Sequence, residues 1–253
     1  MCYNIFMKIK LIIEYDGSQY SGWQAQEGQR TIQGELERVV SDVVHEKITL
    51  YASGRTDAGV NARAQVAHFE IGENFKFNRF QFLGSVNFFL PDDIIVKDAC
   101  VVGDDFDARF TVKKKTYRYY FYVSRFERPL FAKFLRVNDN VSVDLMREAC
   151  QYLIGEHDFK SFVARKSGKT NFVRTIYDAK ILDFGDDLFA FEITGSGFLY
   201  NMVRIIMGTL IKIGTKKCAP NAMKEIIDGK SRASAGKTVS GTPLVLFSVD
   251  YGE

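Results

Sequence analysis

The sequence predicts an α+β fold: two helix-covered halves sharing a central, mainly antiparallel or mixed sheet, with a cleft between the halves. Three observations carry that expectation. Stretches of alternating apolar and polar residues recur along all 253 residues, the period-two pattern of half-buried strands. Between them stand segments whose apolar residues repeat at helical spacing. A hairpin signal, Gly185-Asp186-Asp187 between two strand patterns, makes neighbouring strands antiparallel, and hairpins mixed with helices give sheets covered by helices. The length suits one to two domains. The boundary is expected near Gly103-Asp104-Asp105, separating an N-terminal half, 1–104, from a C-terminal half, 105–253.

Each element follows in order. Residues 8–15 alternate, with Ile9, Leu11, Ile13 and Tyr15 on one face, and end at Asp16-Gly17, which predicts a strand and a turn. Ile32, Leu36, Val39, Val40 and Val43 recur at helical spacing behind Thr31, a suitable N-cap, so a helix is expected over 32–44. Residues 47–52 and 65–70 read as short strands around a loop containing Gly54 and Gly59. Asn78 caps a second expected helix that runs to Phe88 and is stopped by Pro91, and 94–102 is a further strand. In the second half, 116–124 is an aromatic strand with Tyr117, Tyr119, Phe121 and Val123 on one face and Arg118, Tyr120 and Tyr122 on the other. Leu145, Ala149, Tyr152 and Leu153 mark a helix capped by Ser142 and closed by Gly155. Residues 175–184 and 188–194 flank the hairpin turn; a helix follows over 199–213 with Gly214 as its stop. Asn221 opens a short helix ending at Gly229, and 244–251 is the final strand.

Composition excludes several classes. Hydrophobic residues make up 46% and charged residues 26%, which is the balance of a folded globular chain rather than a disordered one. Lys8, Lys10 and Glu14 interrupt the first apolar stretch, and Arg204 and Lys212 the one around 202–213, so no run nears the ~20 apolar residues of a membrane span. The N-terminus lacks the basic start and small-residue cleavage site of a secretory signal, and Met7 is an alternative start. Cys2, Cys100, Cys150 and Cys218 lie far apart beside only three histidines, His45, His68 and His157; the usual zinc spacings are absent, and reduced thiols in the cytoplasm are expected. With no Walker or Rossmann pattern either, no cofactor and no metal are expected. The net charge of +3 is small, but basic clusters in the second half interleave with aromatics, which points to a polyanion.

The segment Ser53-Gly54-Arg55-Thr56-Asp57-Ala58-Gly59-Val60 is by itself a turn, or a catalytic carboxylate beside an arginine. Gly54 to Val60, followed by Gln65-Val66-Ala67-His68-Phe69, closely resembles the signature of the TruA family of tRNA pseudouridine synthases. The likeness extends along the chain in Glu14-Tyr15-Asp16-Gly17, Gly22-Trp23-Gln24, Asp107-Ala108-Arg109-Phe110 before Tyr117-Arg118-Tyr119, Gly155-Glu156-His157-Asp158-Phe159, and Phe198-Leu199-Tyr200-Asn201-Met202-Val203-Arg204. The departures are local: Asn61 stands where the family has histidine, Ala64 where it has glycine, and Pro243-Leu244 where it has Gly-Leu.

The resemblance implies a pseudouridine synthase fold and isomerisation of uridine in the anticodon arm of tRNA, around tRNA positions 38 to 40, by a homodimer. That reaction breaks a carbon–nitrogen glycosidic bond and makes a carbon–carbon bond from uracil C5 to the same sugar carbon. It calls for a carboxylate near the sugar, a cation to keep it ionised, and a base taken out of its stack. Asp57 matches the essential aspartate; whether it attacks the sugar, adds to the uracil or removes a sugar proton stays open at this point. Arg204 matches the basic partner. Helical spacing points it with Tyr200, Gly208 and Ile211, away from the Leu199, Val203, Ile206, Leu210 and Ile213 face.

Further carry-overs are Tyr117 as the ring that packs on the target uracil and Leu244 as the apolar wall of the same pocket. Arg55 would contact RNA, with a buried pair to Asp57 as its competing role. Arg63, Lys113, Lys114, Lys115, Arg165, Lys166 and Lys169 are expected phosphate contacts, which position RNA without reading its sequence. Two rival readings are a non-catalytic RNA-binding module or RNA chaperone of the same fold, and a glycosidase, for which no second catalytic acid is identifiable.

Overall fold

A computed structural model describes residues 6–72, 74–164 and 170–252. In chain order its elements are β1 (Phe6–Tyr15), α1 (Ile32–Val44), β2 (Tyr51–Ala52), β3 (Asn61–Gly72), α2 (Arg79–Phe89), β4 (Ile94–Val102), β5 (Lys114–Val123), β6 (Leu135–Val137), α3 (Val143–Gln151), β7 (Gly155–Asp158), β8 (Val173–Asp183), β9 (Leu188–Gly195), α4 (Met202–Gly214), α5 (Ala222–Asp228) and β10 (Leu244–Asp250). The class is α+β, as the mixture of strand and helix periods predicts. The chain divides into two compact units, Met1–Lys113 with Leu246–Glu253, and Lys114–Val245.

In the first unit β1 lies between β3 and β4, antiparallel to both. The alternation read in the sequence is the burial pattern: Ile9, Leu11, Ile13 and Tyr15 are all buried, each aliphatic side chain contributing about 1.5–3 kcal/mol of transfer free energy. Caps set the helix starts as expected. The Thr31 side chain accepts the Gly34 N–H at the head of α1, and Asn78 accepts the Gln81 N–H at the head of α2. The strand expected over 47–52 shrinks to Tyr51–Ala52, paired with His68 and Ala67 of β3. The reason lies in α1, whose side chains take up the backbone that a strand would have used. Ser41 Oγ accepts the Ile48 N–H at 3.1 Å, Glu37 Oε1 accepts the Leu50 N–H at 2.8 Å, and Gln33 Nε2 donates to the Leu50 carbonyl at 3.3 Å.

In the second unit the antiparallel order is β5-β9-β8-β7, with β6 parallel to β5. Ser142 caps α3 through the Leu145 N–H, but Gly155 does not close it. The helix ends at Gln151 and Gly155, at φ +113°, opens β7. The start expected at 199 for α4 moves to Met202, because Asn201 sits in the left-handed region at φ +60°, a conformation asparagine tolerates and a helix interior does not. Gly214 is the last helical residue rather than the stop, and Lys216 takes the left-handed turn beyond it.

The α4 helix is buried on both faces. Ile205, Ile206, Met207, Gly208, Thr209 and Leu210 are all buried, so Gly208 and the turn around it are not a solvent face. The chain at 231–240 lies across them: an alanine Cβ at Gly208 would stand 1.9 Å from the Lys237 carbonyl oxygen, and one at Gly236 would stand 2.3 Å from the Gly208 carbonyl carbon.

Candidate active site

Asp57 stands half-buried in the loop between β2 and β3, and the backbone on either side of it is tied to surrounding segments. Tyr15, the last residue of β1, shares a hydrogen bond of 2.8 Å with Thr56 Oγ1, both groups being buried. The Thr56 carbonyl accepts the Trp23 N–H at 3.1 Å, and the Asp57 carbonyl accepts the Val60 N–H at 3.1 Å. Further back along the loop, Ser53 Oγ donates to Gln65 Oε1 at 2.8 Å while Gln65 Nε2 donates to the Gly54 carbonyl at 2.9 Å, and beyond Asp57 the Gly59 N–H donates to the Tyr20 carbonyl at 3.3 Å. Gln65 is fully buried, so its amide is spent on the loop rather than on solvent.

Two glycines let other backbone approach. A Cβ at Gly17 would meet the Val60 carbonyl oxygen at 2.1 Å, and Gly22, at φ +95°, would place one 2.8 Å from the Thr56 carbonyl oxygen. Asn61 also serves this packing: its Oδ1 accepts the Gly17 N–H at 2.8 Å. Burial drives the Tyr15 phenol well above its ordinary pKa, with the bond to Thr56 partly offsetting it, so it stays neutral and holds its hydroxyl in the bond.

Arg204 lies in the first turn of α4, partly buried. Its Nε–H donates to the Val239 carbonyl at 2.8 Å and its Nη1 donates to Asn201 Oδ1 at 2.6 Å. Next to Val239, the Ser240 carbonyl accepts the Tyr119 hydroxyl at 2.9 Å. Burial raises the Tyr119 phenol's pKa, the Arg204 charge opposing the shift. Tyr117 is half-buried on β5, opposite Ile193, with its ring edge-on to Phe198 at 5.1 Å. Leu244, the first residue of β10, is buried and donates its N–H to the Gly241 carbonyl.

Of the expected RNA contacts, Arg55 and Arg63 are exposed; the Arg63 guanidinium lies over the Phe247 ring, 4.4 Å from its centre. Lys113 and Lys114 are exposed and Lys115 half-buried. Arg165, Lys166 and Lys169 lie outside the described residues. Arg55, Asp57, Arg63 and Lys113 belong to the first unit; Lys114, Lys115, Tyr117, Arg204 and Leu244 belong to the second. Among the described residues no group of three or more His, Cys, Asp or Glu is placed to hold a metal ion, and no helix is long and apolar enough to cross a membrane.

Sequence reading overlooked the supports of these groups: Tyr15, Gln65, Asn201, Thr209 and the Gly208–Gly236 contact. Tyr15 and Gln65 occur within the motif strings, but their spacing reads as strand; the signal that could have singled out Gln65 is an amide at the head of the buried run 65–69 of β3, where Val66, Ala67 and Phe69 are apolar.

A model of the tRNA pseudouridine synthase family matches residues 11–111 and 149–252, spanning both units. The chain belongs to this family, and so is an isomerase that converts uridine to pseudouridine in tRNA. It is 44% identical over 248 residues to tRNA pseudouridine synthase A of Anoxybacillus flavithermus, covering 96% of this chain and 98% of that one. Identity to the Bacillus subtilis protein of the same name is 43% over 252 residues, with 97% and 99% covered. To that of Acetivibrio thermocellus it is 41% over 244 residues, with 96% and 99% covered.

Proposed function

We propose that the chain, as a cytoplasmic homodimer, isomerises uridines at positions 38 to 40 in the anticodon arm of tRNA, with Asp57 as its essential carboxylate. The observation that supports this most is the anchoring of the loop on both sides of Asp57: before it, Tyr15 and Trp23 hold Thr56 and Gln65 holds Gly54, and after it the Gly59 N–H donates to the Tyr20 carbonyl at 3.3 Å. A carboxylate that must act on one carbon of a flipped nucleoside gains from a backbone that is already in place, since reorganisation at the moment of reaction adds to the barrier.

In this reading Arg204 supplies the positive charge that keeps Asp57 ionised, as a guanidinium that stays protonated at any working pH can. Asp57 acts at the ribose or the uracil, the glycosidic bond from N1 opens, the uracil turns, and its C5 bonds to the sugar carbon; the C5 proton is lost and the freed N1 takes one up. Tyr117 packs on the uracil and Leu244 walls the pocket while it turns. Arg55 faces the RNA, and Arg63 with Lys113, Lys114, Lys115, Arg165, Lys166 and Lys169 holds phosphates. The atoms balance without a redox partner, so no cofactor is required.

The test is tritium release from tRNA labelled at uracil C5. Asp57→Asn and Asp57→Ala are expected to keep the melting temperature and the tRNA affinity within about threefold while turnover falls about a thousandfold or more. Full activity in either variant would sink the assignment. Mapping modified uridines in tRNA from a strain lacking the protein decides the positions: persistence of pseudouridine at 38 to 40 would refute that part alone.

A further inference from the structure

The chain at 231–240 runs antiparallel to α4 along one of its faces, and the contacts step down the helix turn by turn. Lys212 Nζ donates to the Ser234 carbonyl at 3.2 Å. One turn earlier, the Gly236 N–H donates to Thr209 Oγ1 at 2.8 Å, and Gly208 faces the Lys237 carbonyl with no room for a Cβ on either glycine. One turn earlier again, Arg204 Nε–H meets the Val239 carbonyl at 2.8 Å. The strap therefore has a register, and Gly208, Gly236 and Thr209 set it.

We propose that Thr209 is a positioning residue for Arg204, acting through the strap; the proposal rests on the reading of Arg204 as the basic partner of the reaction. Thr209 is fully buried, and its hydroxyl is used twice, donating to the Ile205 carbonyl at 2.8 Å and accepting the Gly236 N–H. A threonine hydroxyl that only closed on its own helix would serve the preceding turn alone. This one also fixes the strap residue three before Val239. The strap carries its own brace, since Arg232 donates to the Gly236 carbonyl at 2.9 Å and to Thr238 Oγ1 at 3.2 Å, so a shift at Gly236 is passed along to Val239 rather than absorbed.

Val239 and Asn201 then bind two different nitrogens of one guanidinium. Because that group is planar, two acceptors on separate segments set its orientation, which a single contact would leave to rotate. A shift of the strap removes one of the two.

The experiment is a set of variants read by single-turnover tritium release, tRNA affinity, melting temperature and the exchange rate of the Arg204 Nε–H by nuclear magnetic resonance. Thr209→Val keeps the shape of the side chain and removes the hydroxyl; Thr209→Ser keeps the hydroxyl. Valine is expected to lower the maximal rate about tenfold or more, with tRNA affinity within twofold and a faster Arg204 Nε–H exchange, and serine to restore all three. Gly236→Ala presses on the same contact from the strap, where a Cβ would stand 2.3 Å from the Gly208 carbonyl carbon, and is expected to behave like valine. Should either variant fail to fold, Arg232→Gln, which loosens the strap's brace at a half-buried position, is expected to give the same pattern, and a wild-type rate there overturns the proposal.

A wild-type maximal rate in Thr209→Val or in Gly236→Ala overturns the proposal. So does an equal loss in the serine and valine variants, or a loss that adds in full to that of Arg204→Lys, since residues acting through one group are not additive. Arg204→Ala separates the two readings: a wild-type rate there refutes the role of Arg204 itself, whereas a crippled Arg204→Ala beside a fully active Thr209→Val refutes the positioning role alone.

Discussion

His68 is 3% exposed on β3, opposite Lys10 of β1, and its Nδ1 accepts the Ala108 N–H at 3.2 Å. Its ring stacks on Tyr51 and meets Phe106 edge-on. Burial lowers its pKa from 6.5, outweighing the attraction of Asp107, and a protonated ring would also lose the Nδ1 acceptor. The folded chain therefore holds His68 neutral. Above the unfolded value both states are neutral and the stabilisation is complete. As pH falls below about 6.5 the unfolded chain binds the proton first, and stability is lost until pH passes the lowered folded value. The expected outcome is a melting temperature that drops between pH 7.5 and pH 5 by less in His68→Gln than in the parent, glutamine Oε1 being able to accept the Ala108 N–H. Equal drops in calorimetry would show that another group carries the acid sensitivity. At this same scale Asp57, Tyr117 and Arg204 are candidates through motif strings alone. Tyr15 and Gln65, which hold the Asp57 loop, could not, because a strand residue that bonds a loop looks in sequence like one that fills a core.

At the scale of elements, Gly22 links the first turn of the chain to the candidate catalytic loop. Its φ of +95° and the 2.8 Å that would separate a Cβ from the Thr56 carbonyl oxygen make alanine doubly unsuited. Gly22→Ala is expected to cost about 1–3 kcal/mol of stability and to lower turnover more than tRNA affinity, because what moves is the backbone carrying Asp57; thermal melting with saturation kinetics checks it, and unchanged kinetics would mean that the loop does not need this contact. Helix α1 is legible at both ends because its cap and its apolar stripe are local. The 47–52 strand is not, since three α1 side chains take its backbone bonds. The start of α4 also escapes the pattern, because asparagine at position 201 is equally at home in a helix cap or in the left-handed region it occupies.

For the whole molecule the net charge of +3 is too small to hold a tRNA by bulk attraction, so binding must rest on local contacts with phosphates. Raising salt from about 50 to 200 mM is expected to weaken tRNA affinity by about tenfold or more, with little change in the rate at saturating tRNA. Changing Lys113 and Lys114 to alanine should lower the slope of log affinity against log salt by about one for each phosphate that these lysines neutralise. A slope that stays put in filter binding would place these lysines off the RNA.

Periods, caps and motif strings are enough to specify the α+β class, most helix and strand positions and the family, because each depends on residues within a few positions of one another. Which groups brace the site is a matter of the folded chain alone. Gly208 lies against Lys237, Thr209 meets Gly236, and Arg204 reaches Val239, and whether such remote segments can approach turns on Cβ collisions and hydrogen-bond directions that exist only once both have been placed in space.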